Sequence, residues 1–192
     1  KFIKRVIQFI NMEIYQPAED SYLLSEVLSK LKNLENKKIL DMGSGSGIQT
    51  QTLIDAGAKP ENITLTDINT KSIKYLKKQF PKSKIIKSNL FGKINKKQKF
   101  YLIIFNPPYL PEDKYDNKKD TTGGKNGDEI ILRFLKQSKS YLTPKNRIYL
   151  LLSSLTPTNQ INLLIKKLKY KTKLIKSKKL FFEELFVLEL SQ

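Results

Sequence analysis

Asn106-Pro107-Pro108-Tyr109 follows directly on the apolar run Phe100-Tyr101-Leu102-Ile103-Ile104-Phe105. A strand that ends this way holds a planar amide side chain and a proline carbonyl side by side. Two fixed acceptors of that kind can grip an NH2 group of another molecule, with the ring of Tyr109 beside it. Pro107 and Pro108 fix the backbone, so holding the acceptors costs little entropy. Such a site suits chemistry on a planar, poorly nucleophilic nitrogen: a carboxamide, or the exocyclic amine of adenine. The plainer alternative is a proline-rich turn capping a buried strand, since Asn before Pro often starts a turn.

A second cluster lies upstream. Asp41-Met42-Gly43-Ser44-Gly45-Ser46-Gly47 ends one apolar run and opens a helical stretch. Its glycines permit a tight turn and close approach of a ligand to the backbone. The dinucleotide pattern is G-x-G-x-x-G, with an acid about 20 residues on. Here the spacing is G-x-G-x-G, and Ile48 stands where the third glycine of that pattern belongs. A carboxylate at Asp41 would repel a pyrophosphate and attract an ammonium group. The expected ligand is therefore a nucleoside with a cationic tail rather than NAD. Asp67 ends the next apolar run, where an acid can accept from both ribose hydroxyls.

These residues need a scaffold, and the periodicity supplies one. Short Ile- and Leu-rich runs at 37–42, 62–67, 84–88, 100–105 and 147–153 read as strands buried on both faces. Helical spacing appears at 48–56, 70–80, 128–142 and 157–168, and an amphipathic stretch at 21–34 precedes the first strand. Strand and helix in alternation imply a parallel sheet with right-handed crossovers and helices on both faces. The runs 171–176 and 185–190 have no helix between them, which adds an antiparallel strand at the C-terminal end. The fold class is thus α/β, Rossmann-like, with a mostly parallel seven-stranded sheet. One irregular stretch, 110–126, follows Tyr109 and contains Gly123-Gly124. Tyr22 and Phe134 are expected in the core.

Composition removes several alternatives. The 192 residues fit one domain over 1–192, with an N-terminal segment and helix at 1–35 and a catalytic core at 36–192. There is no cysteine and no histidine. That excludes disulfides, thiolate metal sites, serine-triad chemistry and zinc-hydrolase chemistry, and no metal site is expected. No apolar run reaches the ~18 residues of a membrane span, and residues 1–10 read as structural rather than as a signal peptide. A cytoplasmic location follows as the expectation. The formal charge is +18, with eleven lysines and no acid between Asp67 and Glu112, and eight lysines from Ile165 to Leu180. Such fields favour RNA, DNA or the ribosome, although lysine runs are usually solvated faces.

Taken together, the glycine loop, Asp67 and Asn106-Pro107-Pro108-Tyr109 resemble the S-adenosylmethionine-dependent methyltransferases of the Rossmann-like class. Ile14-Tyr15-Gln16-Pro17-Ala18-Glu19-Asp20-Ser21 and Gly123-Gly124-Lys125-Asn126-Gly127 resemble segments of the archaeal and eukaryotic branch of HemK/PrmC-type enzymes. The resemblance spans residues 14–190. It implies methylation of the glutamine in the Gly-Gly-Gln motif of class I translation release factors, with S-adenosyl-L-homocysteine as product. The bacterial branch carries an added N-terminal helical domain for which this chain has no room. Carried over by motif, Ser21, Asp41, Gly43, Gly45, Gly47, Asp67, Asn89, Leu90 and Asn106 would line the cofactor site. Asn106, Pro107, Pro108 and Tyr109 would hold the substrate, with Asn106, Pro107 and Tyr109 acting in catalysis. Asn89 departs from the family's usual Asp. Its side-chain oxygen can still accept from the adenine amine, and the plainer reading is a turn residue.

The motif alone also fits an adenine-amino methyltransferase acting on RNA or DNA. A third reading is a non-catalytic basic module on the ribosome. The resemblance further implies a small zinc-binding activator subunit covering a sheet edge. Lys84-Ile85-Ile86-Lys87 could be that edge, unless Ile85 and Ile86 pack under the protein's own helices.

Overall fold

The computed structural model describes residues 14–109 and 123–192. In chain order the elements are α1 (Glu19–Leu28), β1 (Ile39–Met42), α2 (Ile48–Asp55), β2 (Ile63–Asp67), α3 (Thr70–Gln79), β3 (Lys84–Lys87), β4 (Phe100–Phe105), α4 (Glu129–Ser138), β5 (Leu142–Ser153), α5 (Thr158–Lys167), β6 (Lys171–Lys179) and β7 (Glu184–Ser191). They build one seven-stranded sheet in the order β3-β2-β1-β4-β5-β7-β6. The four pairings from β3 across to β5 are parallel, and β7 runs antiparallel to both β5 and β6. The expected α/β class and its antiparallel C-terminal strand are therefore borne out.

The sheet divides two cores, and the strands feed both by their period of two. Ile103 and Phe105 of β4 join Ile131, Phe134 and Leu135 of α4 and Ile161 and Ile165 of α5. Leu102 and Ile104 turn the other way, to Leu24 and Leu28 of α1, Leu53 of α2 and Leu76 of α3. This is why β1 and β2 are apolar along their whole length and buried at every position. The chain steps outward from β1 to β2 to β3, then returns to place β4 on the other side of β1. That reversal opens a crevice at the carboxyl ends of β1 and β4, where ligands bind in such sheets.

Several boundaries differ from the sequence reading. The first helix ends at Leu28, not at Leu34. The Ser29 hydroxyl donates back to the Glu26 carbonyl at 2.9 Å, and Asn33 takes a left-handed conformation, φ 59, which asparagine tolerates better than most residues. Leu34 is nonetheless buried, so apolar spacing outlasts the helix. The helix after Gly127 stops at Ser138, and a short 3-10 turn leads into β5 at Leu142. Strand β5 begins five residues before the expected Arg147. It pairs at Leu142, leaves β4 over the next four residues, and pairs again from Arg147. Pro144-Lys145-Asn146 forms that excursion, with the Asn146 side chain donating to the Thr143 carbonyl at 2.7 Å. Phe134 is fully buried as expected, but Tyr22 is 55% exposed on the outer side of α1. Residues 1–10 and most of the 110–126 stretch lie outside the described residues.

Candidate active site

A cavity of about 530 Å³ occupies the crevice. Ser21, Gly43, Gly45, Asp67, Asn89, Leu90, Asn106, Pro107, Pro108 and Tyr109 all line it, although they come from five separate stretches of chain. Two residues assigned to the cofactor site do not. Asp41 is 2% exposed and lies behind the loop, its Oδ2 accepting from the Thr50 hydroxyl at 2.6 Å. Burial, the main cause, raises its pKa to about 7 despite that hydrogen bond. An ammonium group would therefore not meet it from the cavity. Gly47 has φ +79, and a Cβ there would overlap the Phe80 ring and Leu76. Its glycine serves the packing of α2 on α3.

The glycine loop is pinned from β2. Gly45 N–H donates to Asp67 Oδ2 at 2.8 Å, and Asn69 N–H donates to Asp67 Oδ1 at 2.7 Å. Asp67 thus fixes the loop as well as facing the cavity. Beyond β3, Leu90 holds a left-handed backbone, φ 48, a strained state for a non-glycine residue that clusters at functional sites. Ser88 stabilises it by donating to the Leu90 carbonyl at 2.7 Å while accepting from Lys93 N–H at 3.0 Å. The Asn89 side-chain oxygen accepts from an Arg133 guanidinium N–H at 3.0 Å. It keeps a second lone pair for a ligand.

The amide of Asn106 is oriented by the N-terminal segment. Its Nδ2 donates to Asp20 Oδ2 at 3.0 Å and lies 3.5 Å from the Ser21 hydroxyl. Asp20 also accepts from the Tyr15 hydroxyl, at 2.8 and 2.7 Å to its two oxygens, and from Ser21 N–H at 2.5 Å. Because Asp20 only accepts, the nitrogen of Asn106 must face it. Among the described residues, Asn106 Oδ1 is left buried with no partner. An orphaned buried acceptor costs about 1–3 kcal/mol, which a donor entering the cavity would recover. Tyr109 is half-buried beside it, and burial, followed by the charges of Asp20 and Glu183, pushes its hydroxyl pKa well up. The ring therefore remains neutral.

Sequence reasoning missed Tyr15 and Asp20 as parts of this wall. Both stood in the quoted N-terminal segment, but only Ser21 was carried from it. Arg133 was missed because nothing in its helix spacing marks it. Gly123 docks the next loop onto the motif: a Cβ there would overlap the Pro108 and Gly127 carbonyl oxygens. Glu129 closes that loop. Burial opposes its ionisation, but hydrogen bonds from Asn126 and Gly127 outweigh it and hold its pKa below the ordinary value.

Residues 19–182 match the model of the family described as Methyltransferase small domain. The chain belongs to that family. A protein of Methanocaldococcus jannaschii assigned as a protein N5-glutamine methyltransferase is 35% identical over 189 residues, spanning 93% of this chain and 92% of its own. The methyltransferase HEMK2 of Homo sapiens is 28% identical over 153 residues, with 72% and 71% covered. Among solved structures, the E. cuniculi Mtq2–Trm112 complex, which methylates the eRF1 translation termination factor, aligns with TM-score 0.75 at 24% identity, covering 94% of this chain and 99% of that one. The fold and family make this chain a methyltransferase that uses S-adenosylmethionine. The cavity fits that cofactor: it has the volume, a glycine-loop wall, an acid at the end of β2, and polar groups at Asn89 and Arg133. Among the described residues, no helix is long and apolar enough to cross a membrane.

Proposed function

We propose that this chain methylates the side-chain nitrogen of the glutamine in the Gly-Gly-Gln motif of a class I release factor. One observation carries the reading: Asn106 Oδ1 is buried in the cavity wall and unpartnered among the described residues, with its orientation set by Asp20. S-adenosylmethionine, when bound, supplies an electrophilic methyl carbon. The residues of the chain do the rest. Asn106 Oδ1 and the Pro107 carbonyl each accept one N–H of the carboxamide, which positions its nitrogen and raises the electron density on it as the new bond forms. Tyr109, neutral and half-buried, packs on the planar group. Proximity and orientation of this kind contribute up to about 7–11 kcal/mol. Acceptors preset for charge developing on nitrogen add to that. Ser21, Gly43, Gly45, Asp67, Asn89 and Leu90 hold the cofactor.

The N5-glutamine assignment of the M. jannaschii relative favours a carboxamide over adenine. Radiolabelled S-adenosylmethionine with a release factor, with its Gly-Gly-Gln→Gly-Gly-Ala variant, and with bulk RNA or DNA decides the substrate. Label on the factor, lost in that variant, is the expected result. Label on nucleic acid would reassign the substrate to an adenine amine. Asn106→Ala should abolish transfer while cofactor binding largely persists, and normal turnover in it would remove Asn106 from its assigned role.

We also propose a small zinc-binding activator subunit on the outer edge of β3. Among the described residues that strand pairs with β2 alone, and Ile85 and Ile86 are half-buried between the exposed Lys84 and Lys87. Ile85 packs partly on the core below it, and Ile86 is left as the apolar residue to cover. Loss of co-purification on Ile86→Asp, with the fold intact, tests this.

A further inference from the structure

We infer that Asp20 is the charge-selecting residue of the cofactor cavity, the group that makes the site prefer a cationic ligand to its neutral counterpart. Asp20 lines the cavity and is 5% exposed. Its three hydrogen-bond donors, the Tyr15 hydroxyl shared between the two oxygens, Ser21 N–H and Asn106 Nδ2, are all neutral. They satisfy the lone pairs of a carboxylate without cancelling its charge. Among the described residues, the ion pairs Lys30–Glu26, Lys176–Glu26, Lys178–Glu19 and Arg147–Glu189 leave Asp20 out. A buried charge without a counter-ion is costly to keep. Its place on a cavity wall means that a ligand can supply the missing positive charge.

The surroundings strengthen the case. The protein carries a formal charge of +18. Yet, among the described residues, the charged side chains lining the cavity are Asp20, Asp67 and Arg133, two acids to one base on a basic protein. Asp41, where the sequence suggested attraction of a cation, is sealed behind the loop by Thr50. Asp20 therefore takes over that role. In a poorly screened cavity its field reaches beyond direct contact. S-adenosylmethionine bears a sulfonium, and the demethylated product is a neutral thioether. Asp20 would favour the loaded cofactor over the spent one, whichever nitrogen receives the methyl. The inference rests on the cofactor alone, so it survives or fails independently of the glutamine substrate.

Calorimetric titration of the purified protein with S-adenosylmethionine and S-adenosylhomocysteine tests it. In Asp20→Asn the affinity for the sulfonium form should drop about tenfold, or about 1.4 kcal/mol. Affinity for the thioether should stay within about threefold. Tyr15→Phe, which removes a hydroxyl but keeps the charge, should leave the ratio of the two affinities unchanged. Equal losses for both ligands in Asp20→Asn, or an unchanged ratio, would overturn the inference. A third arm needs no variant. An analogue bearing an amine in place of the methylated sulfur should bind the native protein better, relative to the thioether, as pH falls through the range where that amine protonates. A ratio flat with pH would also overturn it.

Discussion

Asn106→Asp probes the amide orientation on which the site depends. The two side chains have nearly the same shape, so packing is kept. An oxygen would replace the Nδ2 that now stands 3.0 Å from Asp20 Oδ2. Two buried carboxylates that close do not both ionise, and the pair retains one proton well above the ordinary carboxylate range. The folded variant then binds a proton that the unfolded chain releases near pH 4. With more protons on the folded state, stability relative to the parent falls as pH rises. At about 1.4 kcal/mol per pH unit, the deficit is about 1.5 kcal/mol at pH 5 and about 4 kcal/mol at pH 7, levelling off once the shared proton leaves. Titrations common to both proteins, such as that of Asp41, cancel in the difference. Urea unfolding of both proteins at pH 5, 6 and 7 measures it. A deficit that does not grow with pH would refute the reasoning. It would mean that the amide oxygen, not the nitrogen, faces Asp20, and that the cavity wall holds no free acceptor.

Two further stability measurements follow from the glycine loop. Asp41 has a folded pKa of about 7, raised chiefly by burial. The parent should therefore lose stability as pH climbs from about 4 to about 7. Asp41→Asn can still accept from Thr50, so its urea midpoint should gain on the parent over that window and hold the gain above it. Gly47→Ala should cost about 2–4 kcal/mol in urea unfolding, from a left-handed alanine and from displacement of Phe80 and Leu76. A loss under about 1 kcal/mol would show that α2 and α3 can part without strain.

The sheet was legible in sequence because its strands are buried on both faces, which forces the continuous apolar runs at β1, β2 and β4. The break at Ser29 was hidden, since Leu31 and Leu34 keep helical spacing after the helix has ended. The early start of β5 was hidden by Pro144-Lys145-Asn146, which reads as a turn and is a bulge inside the strand. At the site, residues marked by rigid backbone were found: Asn106, Pro107 and the loop glycines. Asp20 and Tyr15 were not, because Asp20 contributes through a contact made across 86 residues of chain to Asn106, and Tyr15 acts through Asp20. Asp41 shows the converse: an acid in a ligand-binding loop whose side chain turns to Thr50, nine residues on, and away from the ligand.

The ties between α1 and β6 have a temporal consequence. Glu26 and Glu19 on the first helix are paired with Lys176 and Lys178 on β6. Synthesis supplies the glycine loop and the Asn106 loop long before β6. A nascent chain halted after α5 would hold the central strands but leave the first helix without its far anchor. Asp20 would then be placed by the packing of Leu24 and Leu28 on the sheet without the ties from β6. The protein is expected to reach full competence late, when the last hairpin leaves the exit tunnel and Leu185 and Val187 complete the core around the first helix.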